Sequence, residues 1–204
     1  LGIGRQKIHR HDWPYITAPT VINKYFGGEG LLDSGLELSY LVPLPFFLDI
    51  TAGLTNGWTL GHSCDDQGHK PKTPTHYARI GTFIDGGDAM GLALGLNVLG
   101  NTSAKGKRTH LFGVDAIAKG DMFGHKYLIQ SETWMRHEKT GDELHKTIGT
   151  YVFPQVSLNH SLKAGVRFDY YTKLASEGHV HADDHGHDED HDHKHGHHHK
   201  DHTE

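Results

Sequence analysis

Residues 90–98 read MGLALGLNV, and the fold class turns on this stretch. Met90, Leu92, Leu94, Leu96 and Val98 fall on one side of an extended chain, and Gly91, Ala93, Gly95 and Asn97 fall on the other. Unbroken alternation of apolar with small or polar residues predicts a strand with one apolar face. A helix here would hold Gly91 and Gly95 in its interior, each costing about 1 kcal/mol relative to alanine.

The pattern recurs on both sides. Alternating segments lie at 35–42, 46–55, 76–85, 110–118, 127–136 and 162–171, with a weaker one at 147–157. Residues 1–8 look like the end of a further strand, which gives eight full strands and one partial. Short joins at 43–45, 86–89, 119–124 and 159–161 alternate with long ones at 9–33, 59–75, 99–109, 138–146 and from 173 onward. Short turns at one end and long loops at the other are the layout of an up-and-down transmembrane β-barrel. The expected fold is therefore all-β, an antiparallel up-and-down transmembrane barrel with about nine strands visible. Residues 1–172 form part of the barrel, and 173–204 a disordered His- and Asp-rich loop or tail.

The alternative is a soluble β-meander or lipocalin-like barrel, which is apolar inside and polar outside. Alternation alone does not say which face meets water. The membrane reading gains from charges isolated on the small-residue faces, namely Asp49, Arg79, Glu132, Arg136, Lys163, Arg167 and Asp169, which suit a wet lumen. It gains also from aromatic residues near strand ends, Tyr40, Phe46, Phe47, Trp58, Tyr127, Tyr170 and Tyr171, where interfacial girdles sit. Glu132 and Arg136, on one face, are expected to form a lumen salt bridge. Because a barrel in lipid leaves no edge unpaired, the chain is expected to be an internal part of a longer one.

Composition splits the chain in two. Of 204 residues, 26 are Gly and 21 are His, and the net charge is −5 with His neutral. Residues 179–204 hold eleven of the histidines and a net −6, so the preceding body is nearly neutral. Nothing here favours nucleic acid as a partner. The longest apolar run, Leu41–Leu48, has eight residues, far short of the roughly 18 that a membrane-spanning helix needs. One cysteine, Cys64, excludes an internal disulfide framework and any multi-cysteine zinc site.

Residues 8–53, IHRHDWPYITAPTVINKYFGGEGLLDSGLELSYLVPLPFFLDITAG, carry a family resemblance. His9-x-His11 precedes Trp13-Pro14, Phe26-Gly27-Gly28-Glu29-Gly30-Leu31 forms a turn, and Gly35–Leu41 leads into Pro43-x-Pro45-Phe46-Phe47. This stretch resembles the bacterial zinc-regulated TonB-dependent outer-membrane receptors and porin-like outer-membrane proteins. The resemblance implies a bacterial outer-membrane barrel in contact with outer-membrane lipid, whose expression responds to zinc and which can admit metal; the TonB system is an open partner, unsupported by this sequence. No TonB box or plug domain is visible in the sequence, so a passive, porin-like role is equally compatible.

The tail carries the densest metal-binding chemistry. His179, His181, His185, His187, His191, His193, His195, His197, His198, His199 and His202 are interspersed with acidic residues. Imidazole and carboxylate ligate Zn²⁺, and also Ni²⁺ or Cu²⁺. Such a tract holds metal through many interchangeable sites, releasing it as His protonates below about pH 6.5. An engineered tag is the bland alternative, against which the interspersed acids argue. His9 with His11, and His62 and His69 around Cys64, Asp65 and Asp66, are weaker candidates. His76, His110, His137 and His145 also lie in or beside the long joins, whereas His125 and His160 lie at the short turns. No catalytic constellation stands out, and Gly27–Gly30 lacks the Lys-Ser/Thr of a phosphate loop. The expectation is a non-enzymatic barrel for capture or passage of divalent metal, zinc favoured, with no cofactor required. The alternatives are a general diffusion porin with an incidental His-rich loop, and a soluble β-protein that buffers metal through its tail.

Overall fold

The computed structural model describes residues 15, 17–27, 33–57, 71–87, 90–122 and 124–174. One short helix, α1 (Thr20–Phe26), precedes nine strands: β1 (Gly35–Leu41), β2 (Phe47–Thr55), β3 (Thr75–Asp85), β4 (Met90–Thr102), β5 (Arg108–Met122), β6 (His125–Thr140), β7 (Glu143–Ser157), β8 (Lys163–Gly165) and β9 (Phe168–Lys173). The strands form a single antiparallel meander in chain order, open among the described residues, with β8 and β9 both paired to β7. The expected partial strand at residues 1–8 lies outside the described residues.

Strands β8 and β9 are two pieces of the one strand expected over 162–171. Both keep the same register on β7, Gly165 facing Gln155 and Phe168 facing Val152. The break falls opposite Pro154. Val166 N–H donates to the Pro154 carbonyl at 3.1 Å, but proline has no N–H to return the bond.

Two joins read as long are short. Strands β4 and β5 run on to Thr102 and from Arg108, and β6 and β7 meet at the two-residue turn Gly141-Asp142, with Gly141 at φ 58°. A two-residue hairpin turn needs a positive φ, which glycine takes without strain. The strands outrun their apolar pattern because backbone pairing continues through 136–140 and 143–147, where Leu144 is the one apolar residue. Loop lengths therefore do not alternate: 103–107 and 141–142 are as short as the turns at the opposite end.

The segment 9–33, read as loop, contains α1. No side chain caps its N-terminus, and it stops at Gly27, φ 79°. A helix of seven residues has little stability of its own. Packing holds it: Val21, Ile22, Tyr25 and Phe26 are buried with Leu99, Leu111, Trp134, Tyr151 and Phe153 in one cluster. That cluster lies on one face of the sheet, here called the inner face. Below a polar end that carries Arg108 and several histidines, the outer face is apolar and uncovered, with Leu38 76% and Phe168 65% exposed. No helix among the described residues is long and apolar enough to cross a membrane.

Candidate functional site

The inner face is built by pairing large side chains with glycines on the neighbouring strand. The Arg79 guanidinium lies where a side chain at Gly95 would stand. A Cβ at Gly113 would lie 2.5 Å from the Trp134 ring, one at Gly53 2.5 Å from Tyr77, and one at Gly149 2.7 Å from Val21. The alternating glycines of the sequence are thus the floor on which the inner side chains lie.

Across this floor runs an acidic row set by register. Asp49 faces Gly81, Gly81 faces Gly95, Gly95 faces Asp115, Asp115 faces Glu132, Glu132 faces Tyr151, and Tyr151 faces Asp169. Arg79 forms a bidentate ion pair with Asp115, its Nη2 donating to Oδ1 at 2.9 Å, and it also donates to Asn97 at 2.9 Å. Asn97 Nδ2 donates to Asp115 at 2.7 Å. Glu132 accepts from the Tyr151 hydroxyl at 2.8 Å and from Trp134 Nε1 at 3.0 Å. Arg167 pairs with Asp169 at 2.7 Å and with Thr17, tying Thr17 to the start of β9. Buried carboxylates persist only when paired or hydrogen-bonded, and Asp115 and Glu132 meet that demand.

The expected Glu132–Arg136 bridge does not form. Arg136 pairs with Glu138, two residues along the same face, and its guanidinium lies 5.9 Å from the Tyr25 ring centroid. Glu138 also pairs with Lys107 at 2.9 Å. Tyr171, expected in a girdle, instead packs inward on Tyr25, with ring centroids 5.9 Å apart.

Helix α1 and Tyr15 cover the β6–β9 half of this face. Phe26 meets Trp134 edge-on at 5.0 Å, and Tyr15 meets Phe153 at 5.4 Å. The Tyr25 hydroxyl bonds Thr147 at 2.8 Å, and Thr20 N–H donates to Asp169 at 2.7 Å. Burial pushes the Tyr25 phenol up to about 12, which keeps it protonated at any physiological pH. The β1–β3 half is less covered. There Glu37 accepts from Tyr77 at 2.6 Å, and Ser39 bonds Thr51 at 3.0 Å beside Asp49. At the short-turn end, Lys119, Lys126 and Lys163 line an open cavity of about 450 Å³ with Asp121, Gln155 and Ser157.

The histidines divide. His179, His181, His185, His187, His191, His193, His195, His197, His198, His199 and His202 lie outside the described residues, as do His9, His11, His62 and His69. Among the described residues, no three His, Cys, Asp or Glu side chains are grouped to hold a metal ion. His76, His110 and His137 stand on the outer face at one level of β3, β5 and β6. His145 lies 3.4 Å from Glu143. Leu174, the last described residue, lies at that same level, its N–H donating to Lys146 O at 2.8 Å.

The chain is 26% identical over 194 residues to an uncharacterized protein of Aquifex aeolicus (strain VF5), covering 81% of this chain and 41% of that protein. It therefore spans less than half the length of that curated relative. No family model and no solved structure matches the chain.

Proposed function

We propose that this chain is part of a bacterial outer-membrane β-barrel, porin- or receptor-like, that captures or passes divalent metal, zinc above all. The observation that carries the reading is the outer face. From the level of Met90 to that of Val98, the register aligns outward residues such as Leu38, Ile50, Ile80, Leu94, Val114, Ile129 and Val152, with no charged residue at any of these levels. Those eight steps cover about 27 Å along β4 at 3.4 Å per residue. Tilted strands project somewhat less, in keeping with the roughly 25 Å apolar band of outer-membrane barrels. A soluble sheet would bury these side chains and expose Asp115 and Glu132, the reverse of what is found.

The inner face supports the cation preference. On β1–β4 the inward charges are Glu37, Asp49 and Asp85 against Arg79, a net negative set, and rings of Asp and Glu favour cations in pores. The passage runs along β1–β4, because α1 occupies the inner face of β6–β9. The edges of β1 and β9, open among the described residues, are paired when the barrel closes. The His-rich tract raises metal concentration at the mouth. TonB coupling belongs to this reading only as a variant, and passive diffusion suits the pore equally well.

Heat-modifiable migration after extraction into detergent tests the barrel, and unchanged migration with full solubility without detergent overturns it. Zinc flux into liposomes, with and without residues 179–204, then separates metal capture from general diffusion. Equal flux from both would favour the general porin.

A further inference from the structure

We infer that His76 and His110 form a two-imidazole metal clamp over Gly100, a site in the folded sheet separate from the His-rich tract. Gly100 on β4 faces His76 on β3 and His110 on β5. The position where a Cβ of residue 100 would stand lies 2.8 Å from His110 Nδ1 and 3.2 Å from His76 Nε2. Two ring nitrogens from strands two apart thus converge on one point, and they can do so because residue 100 has no side chain. Any other residue there would occupy the meeting point. Both histidines are exposed and reach solvent ions without unfolding.

Imidazole nitrogens bind Zn²⁺ at roughly 2.0–2.1 Å, and a site with open positions completes its shell with water. An ion cannot sit at that point itself, about 1.5 Å from the Gly100 Cα, so both rings turn outward from the backbone to share it. His137, next along the row, is held back: its ring lies against Phe112, centroids 5.7 Å apart. The clamp is therefore bidentate. Arg108, on the same face of β5, and Lys146, beyond His137, repel a dication and set the affinity below that of a closed three-ligand site. Leu174, the last described residue, lies at this level too.

The clamp stands whether the outer face meets lipid or water, so its test is independent of the barrel reading. Diethylpyrocarbonate labelling of the full-length chain, resolved by peptide mass spectrometry, reads each histidine separately and keeps zinc bound by the tract out of the measurement. With Zn²⁺ in excess over the tract's capacity, labelling of His76 and His110 falls together by about fivefold or more, as deprotonated, metal-bound imidazole is withheld from the reagent. His125 and His160, at the other end, label as before. In H76Q the protection of His110 disappears, and in H110Q that of His76. Unchanged labelling of the pair with zinc, or full protection of His110 in H76Q, overturns the clamp.

Discussion

At the scale of single residues, the inner face is a set of complementary choices rather than a general polarity. Arg79 is tolerable at mid-sheet because Asp115 and Asn97 meet its guanidinium, and because Gly95 leaves room for it. Asp115→Ala leaves that cation unpaired in a poorly hydrated place, and a loss of about 3–5 kcal/mol is expected. Removing Arg79 as well, as Arg79→Met with Asp115→Leu, recovers part of it; urea unfolding of the two variants beside the parent chain measures both effects. Gly113→Ala puts a methyl 2.5 Å from Trp134. It displaces the indole from Glu132, and the near-ultraviolet circular dichroism of the tryptophans changes accordingly. On the proposed reading Asp49, on the less covered half of the acidic row, serves transport rather than stability. Asp49→Asn lowers cation over anion permeability in planar bilayers with little change in folding, whereas an unaltered reversal potential removes the acidic row from selectivity. The sequence identified these positions as inward by parity alone. It could not pair Arg79 with Asp115, because parity fixes the face and not the register between strands; Glu132 and Arg136 stay apart for a simpler reason, since four residues along one strand span about 13 Å.

At the scale of elements, α1 has the least intrinsic stability and the most dependence on its neighbours. Its apolar stripe covers Val21, Ile22, Tyr25 and Phe26, too brief for periodicity to separate from a loop. Phe26→Ala removes its contact with Trp134, and Gly149→Val drives a side chain into Val21. Either undocks the helix, and protease sensitivity within 20–27 rises while the strands stay intact. Tyr25 makes docking sensitive to alkali. Its phenol is pushed up to about 12 by burial, against an ordinary value of 10.0. The folded form therefore holds the proton more tightly: the contribution to docking is whole below pH 10 and is lost as pH rises through about 12. Phenolate absorbance followed against the same titration of Tyr25→Phe checks this. The strands themselves were legible through most of their length. Their polar tips were not, since hydrogen-bond ladders continue where hydrophobic alternation has stopped.

At the scale of the whole molecule, the sheet is inverted at mid-height relative to a soluble one, with Asp115 and Glu132 covered and Leu38, Leu94 and Leu96 uncovered. On the proposed reading this inversion is the adaptation to lipid, and the His-rich tract supplies metal to the pore. Isothermal titration of the full chain with Zn²⁺ at pH 7.5 is expected to give several sites per molecule, most of them lost on deleting 179–204. Release follows as pH falls through about 6.5, where imidazole exchanges metal for proton. Absence of binding at pH 7.5 ends the metal reading while leaving the barrel intact.

By itself the sequence determined the all-β class, the eight main strand positions, and which residues of each strand share a face. Period-two alternation is a local property, written residue by residue into the chain. It also holds the run of histidines at 179–202, a compositional feature on which the proposed metal capture rests. Tertiary structure alone decided the register, and with it the acidic row, the Arg79–Asp115 pair and the convergence of His76 and His110 on Gly100. It also decided that a seven-residue segment is a helix and that Pro154 divides the last strand. These features are relations between residues far apart in the chain, fixed by which backbone groups pair and which side chains fill the space over a glycine.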